Sequence, residues 1–342
     1  MAVSLSANET GRIGLIQQEK IPKVSVCVVT YNQEKYIRQC LQSIMDQETD
    51  FNFEVIVGDD CSTDGTRTIV QEFAERYKGI VKTIFQEKNT GGTKNYLDVH
   101  GAALGEYIAH IDGDDFMLPG KLRMQVEELD KNPDCAICVH AMRQFDERNQ
   151  RYLKLWPRAI PRKSDITFLL MNLTFFAHSS KMYRAECRNG FELPTKQVID
   201  CYFHVHNALS GKILYLNDVL GVYRLNIGVS ATENNNRSVY IIRAPWMIGS
   251  IIEAIEYAGR SGVEADFVNK AKSKAYFDFS RGHLLAKDFI SFQLLINKSD
   301  ETAKLNNIQY FFKLFSGVPS FLSFLVRLRA DVKTVLIERF GK

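Results

Sequence analysis

The feature that most constrains this chain is a repeated switch of hydrophobic period between residues 23 and 111. Val24-Ser25-Val26-Cys27-Val28-Val29-Thr30 is a nearly continuous apolar run of strand length, the pattern of a strand buried on both faces of a parallel sheet. Ile37, Leu41, Ile44 and Met45 then recur at helical spacing. Phe53–Val57 reads as a second strand, and Ile69, Val70, Phe73, Ala74 and Tyr77 as an apolar helix face. A third strand is expected at Ile80–Phe85, a short helix after the loop Asn89-Thr90-Gly91-Gly92, and a fourth strand at Glu106–Ile111. Strands alternating with helices predict an α/β fold around a mostly parallel sheet. Further strands are expected at Ala136–His140 and Ile213–Leu216. Residues 239–258 and 264–296 carry helix-length periodicity without turn clusters. The chain is therefore read as a flexible leader (1–21), an α/β domain (22–237) and a helical C-terminal region (238–342).

Composition narrows the function. A net charge of +3, with no Lys/Arg-rich run and no aromatic-plus-basic motif, argues against a nucleic-acid polymer as partner. Seven scattered cysteines and a polar Met1–Lys20 point to a reducing, cytoplasmic setting. Cys135 and Cys138 form a CxxC inside the apolar run Cys135–Val139 with no second pair, so they read as buried strand cysteines rather than zinc ligands.

In an open α/β sheet, ligands bind outside the carboxyl ends of the strands. The first strand here ends in Thr30-Tyr31-Asn32, the second in Asp59-Asp60, and the fourth in Asp112-Gly113-Asp114-Asp115. Carboxylates that converge on one crevice repel one another unless a cation or donor group compensates. Asp112 and Asp114 can face one hard ion, Mn²⁺ or Mg²⁺, which suits carboxylates and diphosphate oxygens. The competing reading of this segment is a polar Asp-Gly turn. Asp60-x-Ser62-x-Asp64-Gly65 imitates an EF-hand loop, but its twelfth position is Gln71 and a strand precedes it.

In their order and spacing these segments resemble the family 2 glycosyltransferases of the GT-A fold, over roughly residues 23–230. Val24–Asn32 is similar to the family's first strand, Glu54–Thr66 to its second strand and "DDGSTDGT" loop, and Gly105–Asp115 with Pro119 to its metal-binding segment. The resemblance implies an inverting transfer of a sugar from a nucleotide-diphosphate donor, UDP-linked by preference, to an acceptor hydroxyl in surface polysaccharide or lipid-linked glycan synthesis. It also implies donor contacts at Thr30, Tyr31, Asn32, Asp60, Lys94 and Asp112, with Tyr31 stacking on the base and Asp60 accepting from its N3–H. Asp114 would ligate the metal, and Asp112 would touch the ribose or the metal. Asp115 either joins them or caps the helix expected near Pro119. Asp200, in the place of the family's Glu-Asp motif, is the implied general base; the alternative is a helix N-cap. His178 either lines the acceptor pocket or is an ordinary satisfied histidine. His204 and His206 fall at alternate helical positions, so they do not share a face.

The sequence departs from the family at three places. Ile199 replaces the Glu beside the base, Tyr96 and Leu97 occupy the usual Arg-Asn positions, and Asn226 stands where Tyr-Arg-x-His would end. Rival functions lack their signatures: no Gly-rich basic loop follows the first strand for a nucleotidyltransferase, and no G-x-G-x-x-G for an oxidoreductase. A non-catalytic module of the same fold would be expected to lose Asp200 or the Asp112/Asp114 pair. The tail Ile308–Lys342 carries six basic residues against two acidic ones. Lys313, Pro319 and Arg327 break its apolar stretch, so it reads as two amphipathic helices. These lie on a membrane surface at the inner face of the cell membrane, or pack on the protein or a second copy.

Overall fold

A computed structural model describes residues 21–157, 160–173, 175–192, 198–225, 227 and 245–327. Most of the expected leader, the boundary near residue 237, Asn226 and residues 328–342 lie outside them. The sheet follows the order β3-β2-β1-β4-β9-β6-β10-β5. Its first half comprises β1 (Val24–Thr30), β2 (Phe53–Asp59), β3 (Val81–Phe85) and β4 (Tyr107–Asp112). These four strands pair in parallel. They are joined through α1 (Ile37–Met45), α2 (Thr66–Arg76) and α3 (Gly92–Gly101).

The second half is mixed. Short β5 (Phe116–Met117) and α4 (Lys121–Lys131) lead into β6 (Cys135–Asp146). β9 (Met182–Arg184) lies antiparallel between β4 and β6, and β10 (Lys212–Leu225) runs parallel to β6. β7 (Arg151–Trp156) and β8 (Lys163–Ser164) pair antiparallel to β6 and β10, and α5 (Ile166–Met171) and α6 (Asp200–Ala208) complete this part. β6 and β10 are longer than the apolar runs that announced them. Their C-terminal halves remain paired to each other beyond those runs, and bulges after Leu216 and Val219, around the polar Asn217-Asp218, absorb the change of register.

Both faces of the sheet are covered, which is why its strands read as continuous apolar runs. One cluster packs Val26, Val28, Val55 and Val57 against Ile37, Leu41, Ile44 and Phe73. The other carries Cys27, Ile56 and Ile108 towards α3 and α6 and continues into the helical region through Ile255, Ala258 and Ala271. Cys135 and Cys138 lie buried as strand cysteines. The helical region consists of α7 (Pro245–Arg260), α8 (Ala265–Leu285), α9 (Phe289–Thr302) and α10 (Asn307–Leu314), followed by a helix over 319–327. The single periodic stretch expected at 264–296 is thus two helices. Lys287 adopts φ 62° between them, and Asp288 caps the second by accepting from Ser291 N.

Gly58 shows how tightly α3 sits on β2. A Cβ there would stand 2.3 Å from Val99 Cγ2 and 2.4 Å from Asn95 Oδ1. Asn95 Nδ2 meanwhile donates to the Gly58 carbonyl at 2.9 Å. Overpacking of this kind costs about 1–3 kcal/mol. Gly58→Ala should therefore lower the melting temperature by at least ~2 °C; an unchanged melting curve would show that α3 yields freely.

Candidate active site at the carboxyl edge of the sheet

The strand order reverses at β1: β2 and β3 extend to one side and β4 lies on the other. The crevice outside the carboxyl ends of β1 and β4 is thus the topological switch point, where such sheets bind ligands. Register places the expected residues there. Thr30 pairs with Asp59, and Val29 pairs with Asp112. Asp60 N donates to Thr30 O at 3.0 Å, and Gly113 N donates to Val29 O at 2.9 Å.

The loops after β1 and β2 are woven together. Asn32, in the left-handed region at φ 52°, accepts from Thr63 N at 2.8 Å, while its own N–H donates to Ser62 Oγ at 2.9 Å. Glu34 accepts from Gly65 N at 2.7 Å, and Asp64 accepts from Glu34 N at 3.1 Å. Buried Thr30 donates to Gln33 Oε1 at 2.7 Å. Tyr31 stays 41% exposed beside this web. Asp60 is buried and pins the loop before α3, accepting from Thr90 N and Oγ1 on Oδ1 and from Gly91 N on Oδ2. Asp60 and Asp64 therefore serve different loops, which disposes of the EF-hand resemblance. Asp59 is fully buried against Arg67 at 2.9 Å.

The segment after β4 crosses close to β1. A Cβ at Gly113 would meet Gln33 Oε1 at 2.5 Å and Thr30 Oγ1 at 2.9 Å, so only glycine lets the flanking carboxylates approach the switch point. Asp112 accepts from Ser179 Oγ at 3.3 Å and faces His110 Nε2 at 3.1 Å, and its N–H donates to Ser179 Oγ at 3.0 Å. Loss of water raises its pKa, although Ser179, Lys181 and Lys121 pull in the other direction. Asp115 is buried and shifted further upward, first by burial and then by the charges of Asp114 and Asp112.

Asp115 does not cap α4. The helix begins at Lys121 behind Gly120, while Asp115 Oδ1 accepts from Arg224 N at 2.9 Å. The antiparallel β5–β10 pairing, Phe116 opposite Val222, brings Arg224 to this place. The Arg224 guanidinium lies between the rings of Tyr36 and Phe116 and donates to the Asp114 carbonyl and to Gln39. Asp115 Oδ2 is buried without a hydrogen-bond partner. Crowded carboxylates with raised proton affinity and an orphaned oxygen are the donor set that a divalent cation relieves. The residue types present suit such an ion by their chemistry, although three of their ligand atoms do not gather within 4.8 Å of one another among the described residues.

A second group lies alongside. Asp200 opens α6, where Ile199 rather than Asp200 is the cap residue and no side-chain cap forms. It meets His178 and His204, the three ligand-type atoms lying within 4.8 Å of one another. His178 Nδ1 and His204 Nε2 are 2.9 Å apart. The turn His178–Ser180 joins both groups, since Ser179 binds Asp112 and the His178 ring packs 3.7 Å from the His110 ring. Beneath them Lys181 is buried on Tyr96 OH and Asn207 Oδ1, and Lys121 on Ser179 O. Burial lowers the pKa of each lysine to about 7. Tyr96, at a departure from the family pattern, stacks between His100 and Phe203. Lys94 is exposed on α3 and pairs with Asp98 one turn on, and His206 faces Tyr257 OH at 2.7 Å. Ser179, Lys181, Lys121 and His110 belong to no motif that marks them; Arg224 alone stands in one, the Tyr223-Arg224 pair before Leu225-Asn226.

Residues 25–189 match the family model "Glycosyl transferase family 2". This segment is a family 2 glycosyltransferase domain. An uncharacterized protein of Mycobacterium tuberculosis is 36% identical over 203 residues, 59% of this chain and 58% of its own length. The chain thus matches just over half the length of that relative. The poly(ribitol-phosphate) beta-N-acetylglucosaminyltransferase TarS of Staphylococcus aureus is 27% identical over 76% of this chain and 45% of its own length. The crystal structure of TarS 1-349 in complex with UDP-GlcNAc superposes with a TM-score of 0.59 at 23% identity, covering 82% of each chain. A mannosyltransferase from Pyrobaculum calidifontis in complex with GDP-Man and Mn²⁺ gives 0.55 at 17% identity, covering 90% of this chain and 88% of that one. The fold is GT-A, as expected from the resemblance, with its helical extension at the C-terminus.

The buried imidazoles make stability depend on pH. Burial holds His100, His110, His140, His178 and His204 well below the usual range. Below about pH 6.5 the unfolded chain takes up protons that these rings refuse, so stability falls as pH drops. The raised Asp112 and Asp115 act in the opposite sense, but the imidazoles outnumber them. The melting temperature should fall between pH 7 and pH 5; a rise over that interval would contradict this reading of the buried cluster.

Proposed function

We propose that this protein transfers a sugar, with inversion, from a nucleoside-diphosphate donor to an acceptor hydroxyl. The observation that carries the reading is the meeting of the β1, β2 and β4 ends with the start of α6, joined by the turn at His178–Ser180. The base would lie on Tyr31. Asp60 uses three acceptor positions on its loop, which leaves one on Oδ2 for the N3–H of uracil. Asp112 and Asp114 would hold Mn²⁺ or Mg²⁺, with Thr30 and Asn32 shaping the wall. When bound, such an ion supplies positive charge to the departing diphosphate. TarS, whose structure holds UDP-GlcNAc, favours a UDP-sugar as donor.

Asp200 would accept the proton of the acceptor hydroxyl as the oxygen–carbon bond forms and the bond to the diphosphate breaks. A carboxylate suffices because the alcohol becomes acidic only as that bond develops. His178, on the same side, would face the acceptor. Asp200, Asp112 and Asp114 are all retained, which favours an enzyme over a binding module. Asp114→Ala and Asp200→Asn should each reduce turnover at least ~100-fold. Asp114→Ala should also weaken metal-dependent UDP binding measured by calorimetry, whereas Asp200→Asn should leave it intact. Near-wild-type turnover in Asp200→Asn would remove it as the base.

The acceptor is proposed to be a glycan of a surface polysaccharide, presented at a membrane. Among the described residues no helix is long and apolar enough to cross a membrane. α9, α10 and the helix over 319–327 bury Phe292, Ile296, Phe312 and Leu322 against one another. Their outer faces expose Ile290, Leu294, Ile308, Leu314, Phe321 and Phe324. An apolar face followed in the sequence by a basic tail suits an anionic lipid surface. The protein should cosediment with vesicles containing phosphatidylglycerol, and Phe321→Glu with Phe324→Glu should abolish this. Equal sedimentation of the variant would transfer this face to protein packing.

A further inference from the structure

We propose that His178, Asp200 and His204 form a second divalent-metal site, selective for Zn²⁺ and separate from the Asp112/Asp114 carboxylates. Asp200 and His204 are four residues apart on α6 and so share one face of the helix. The turn carrying His178 closes over that face. The three groups offer ligand atoms within 4.8 Å of one another, and the imidazole nitrogens already stand 2.9 Å apart. A tetrahedral zinc ion at about 2.0–2.1 Å from each would hold them roughly 3.3 Å apart. Entry of the ion thus replaces the hydrogen bond between the two rings and draws together ligand atoms that already lie within 4.8 Å of one another.

The surroundings favour this. The His204 ring is fixed against Phe176, with centroids 4.3 Å apart, and the His178 ring against His110. Neither ring needs to be ordered when the ion binds. Burial beside Lys181 keeps both imidazoles neutral, the form whose lone pairs bind metals. Lys181 is tied to Tyr96 and Asn207 and also interacts with the charge of Asp200, which the ion would have to share. Two imidazoles with one carboxylate suit a borderline cation such as Zn²⁺. The all-oxygen set at Asp112 and Asp114 suits a hard one.

The site rests on the same Asp200 as the proposed transfer reaction, whose carboxylate can accept the acceptor proton only while it is free of the ion; the test reads metal rather than turnover, so either proposal can fail without the other. Full-length protein carrying Asp114→Ala, stripped by chelator, is dialysed against Zn²⁺ for elemental analysis and titrated with Co²⁺ in the visible range. One retained equivalent of Zn²⁺ and a nitrogen-ligated Co²⁺ spectrum are expected. Adding His204→Ala or, on the more accessible turn, His178→Ala should weaken Zn²⁺ binding at least tenfold in protein whose circular dichroism is unchanged. His178→Ala decides the matter if His204→Ala does not fold. Absence of zinc in Asp114→Ala, or undiminished zinc in His178→Ala, would overturn the site.

Discussion

Carboxylates crowd the switch point of this sheet, and their mutual repulsion is the constraint around which the neighbouring structure is arranged. Gly113 brings the β4 loop against β1 so closely that a Cβ would meet Thr30 and Gln33, and the carboxylates beside it cannot spread apart. Compensation comes from the protein's far side. Arg224 reaches from the end of β10 to the Asp114 carbonyl, and Lys121 and Lys181 lie buried under Ser179 and Tyr96. Lys121 and Lys181 are held by uncharged oxygens, while Arg224 also meets the Glu147 carboxylate at 3.3 Å. An anionic diphosphate alone would meet repulsion there; a diphosphate carrying a divalent ion would not.

Rigidity follows from the same arrangement. The web of Asn32, Glu34, Ser62, Asp64 and Thr66 replaces water around the loop backbones with fixed partners. Asp60 does the same for the loop before α3. A site that must orient charge in a crevice benefits from dipoles that need no rearrangement when the ligand arrives. The helical region adds support from behind: α7 packs on α6, where Tyr257 OH meets His206 and Ser250 Oγ accepts from Ile199 N at 2.8 Å. The start of α6, and with it Asp200, is thereby fixed from both sides.

Much of this was legible in the sequence, for a local reason. The apolar runs of β1, β2 and β4 each end in polar residues, so period and strand end together mark Thr30, Asp60 and Asp112 in the sequence. The contacts of Arg224 with Asp114 and Asp115 span about a hundred residues, and no periodicity reports such a pairing. His178 and His204 are 26 residues apart and sit on different elements, so their meeting depends on how the turn folds over α6. The break at Lys287 was hidden for the opposite reason: neither glycine nor proline marks it, and tertiary packing of α8 on α9 overrides the local pattern. Asp115 looked like a cap because Pro119 follows, yet the β5–β10 pairing claims its carboxylate first.

The central claim is that the β1/β4 crevice binds a nucleoside diphosphate through a cation held by Asp112 and Asp114. The most direct test is a crystal grown with UDP and Mn²⁺, with the manganese located by its anomalous scattering. The account predicts a peak within coordination distance of an Asp114 or Asp112 carboxylate oxygen and of the diphosphate, with uracil beside Tyr31 and Asp60. Manganese found only at His178 and His204, or a nucleotide seated away from the ends of β1 and β4, would contradict it.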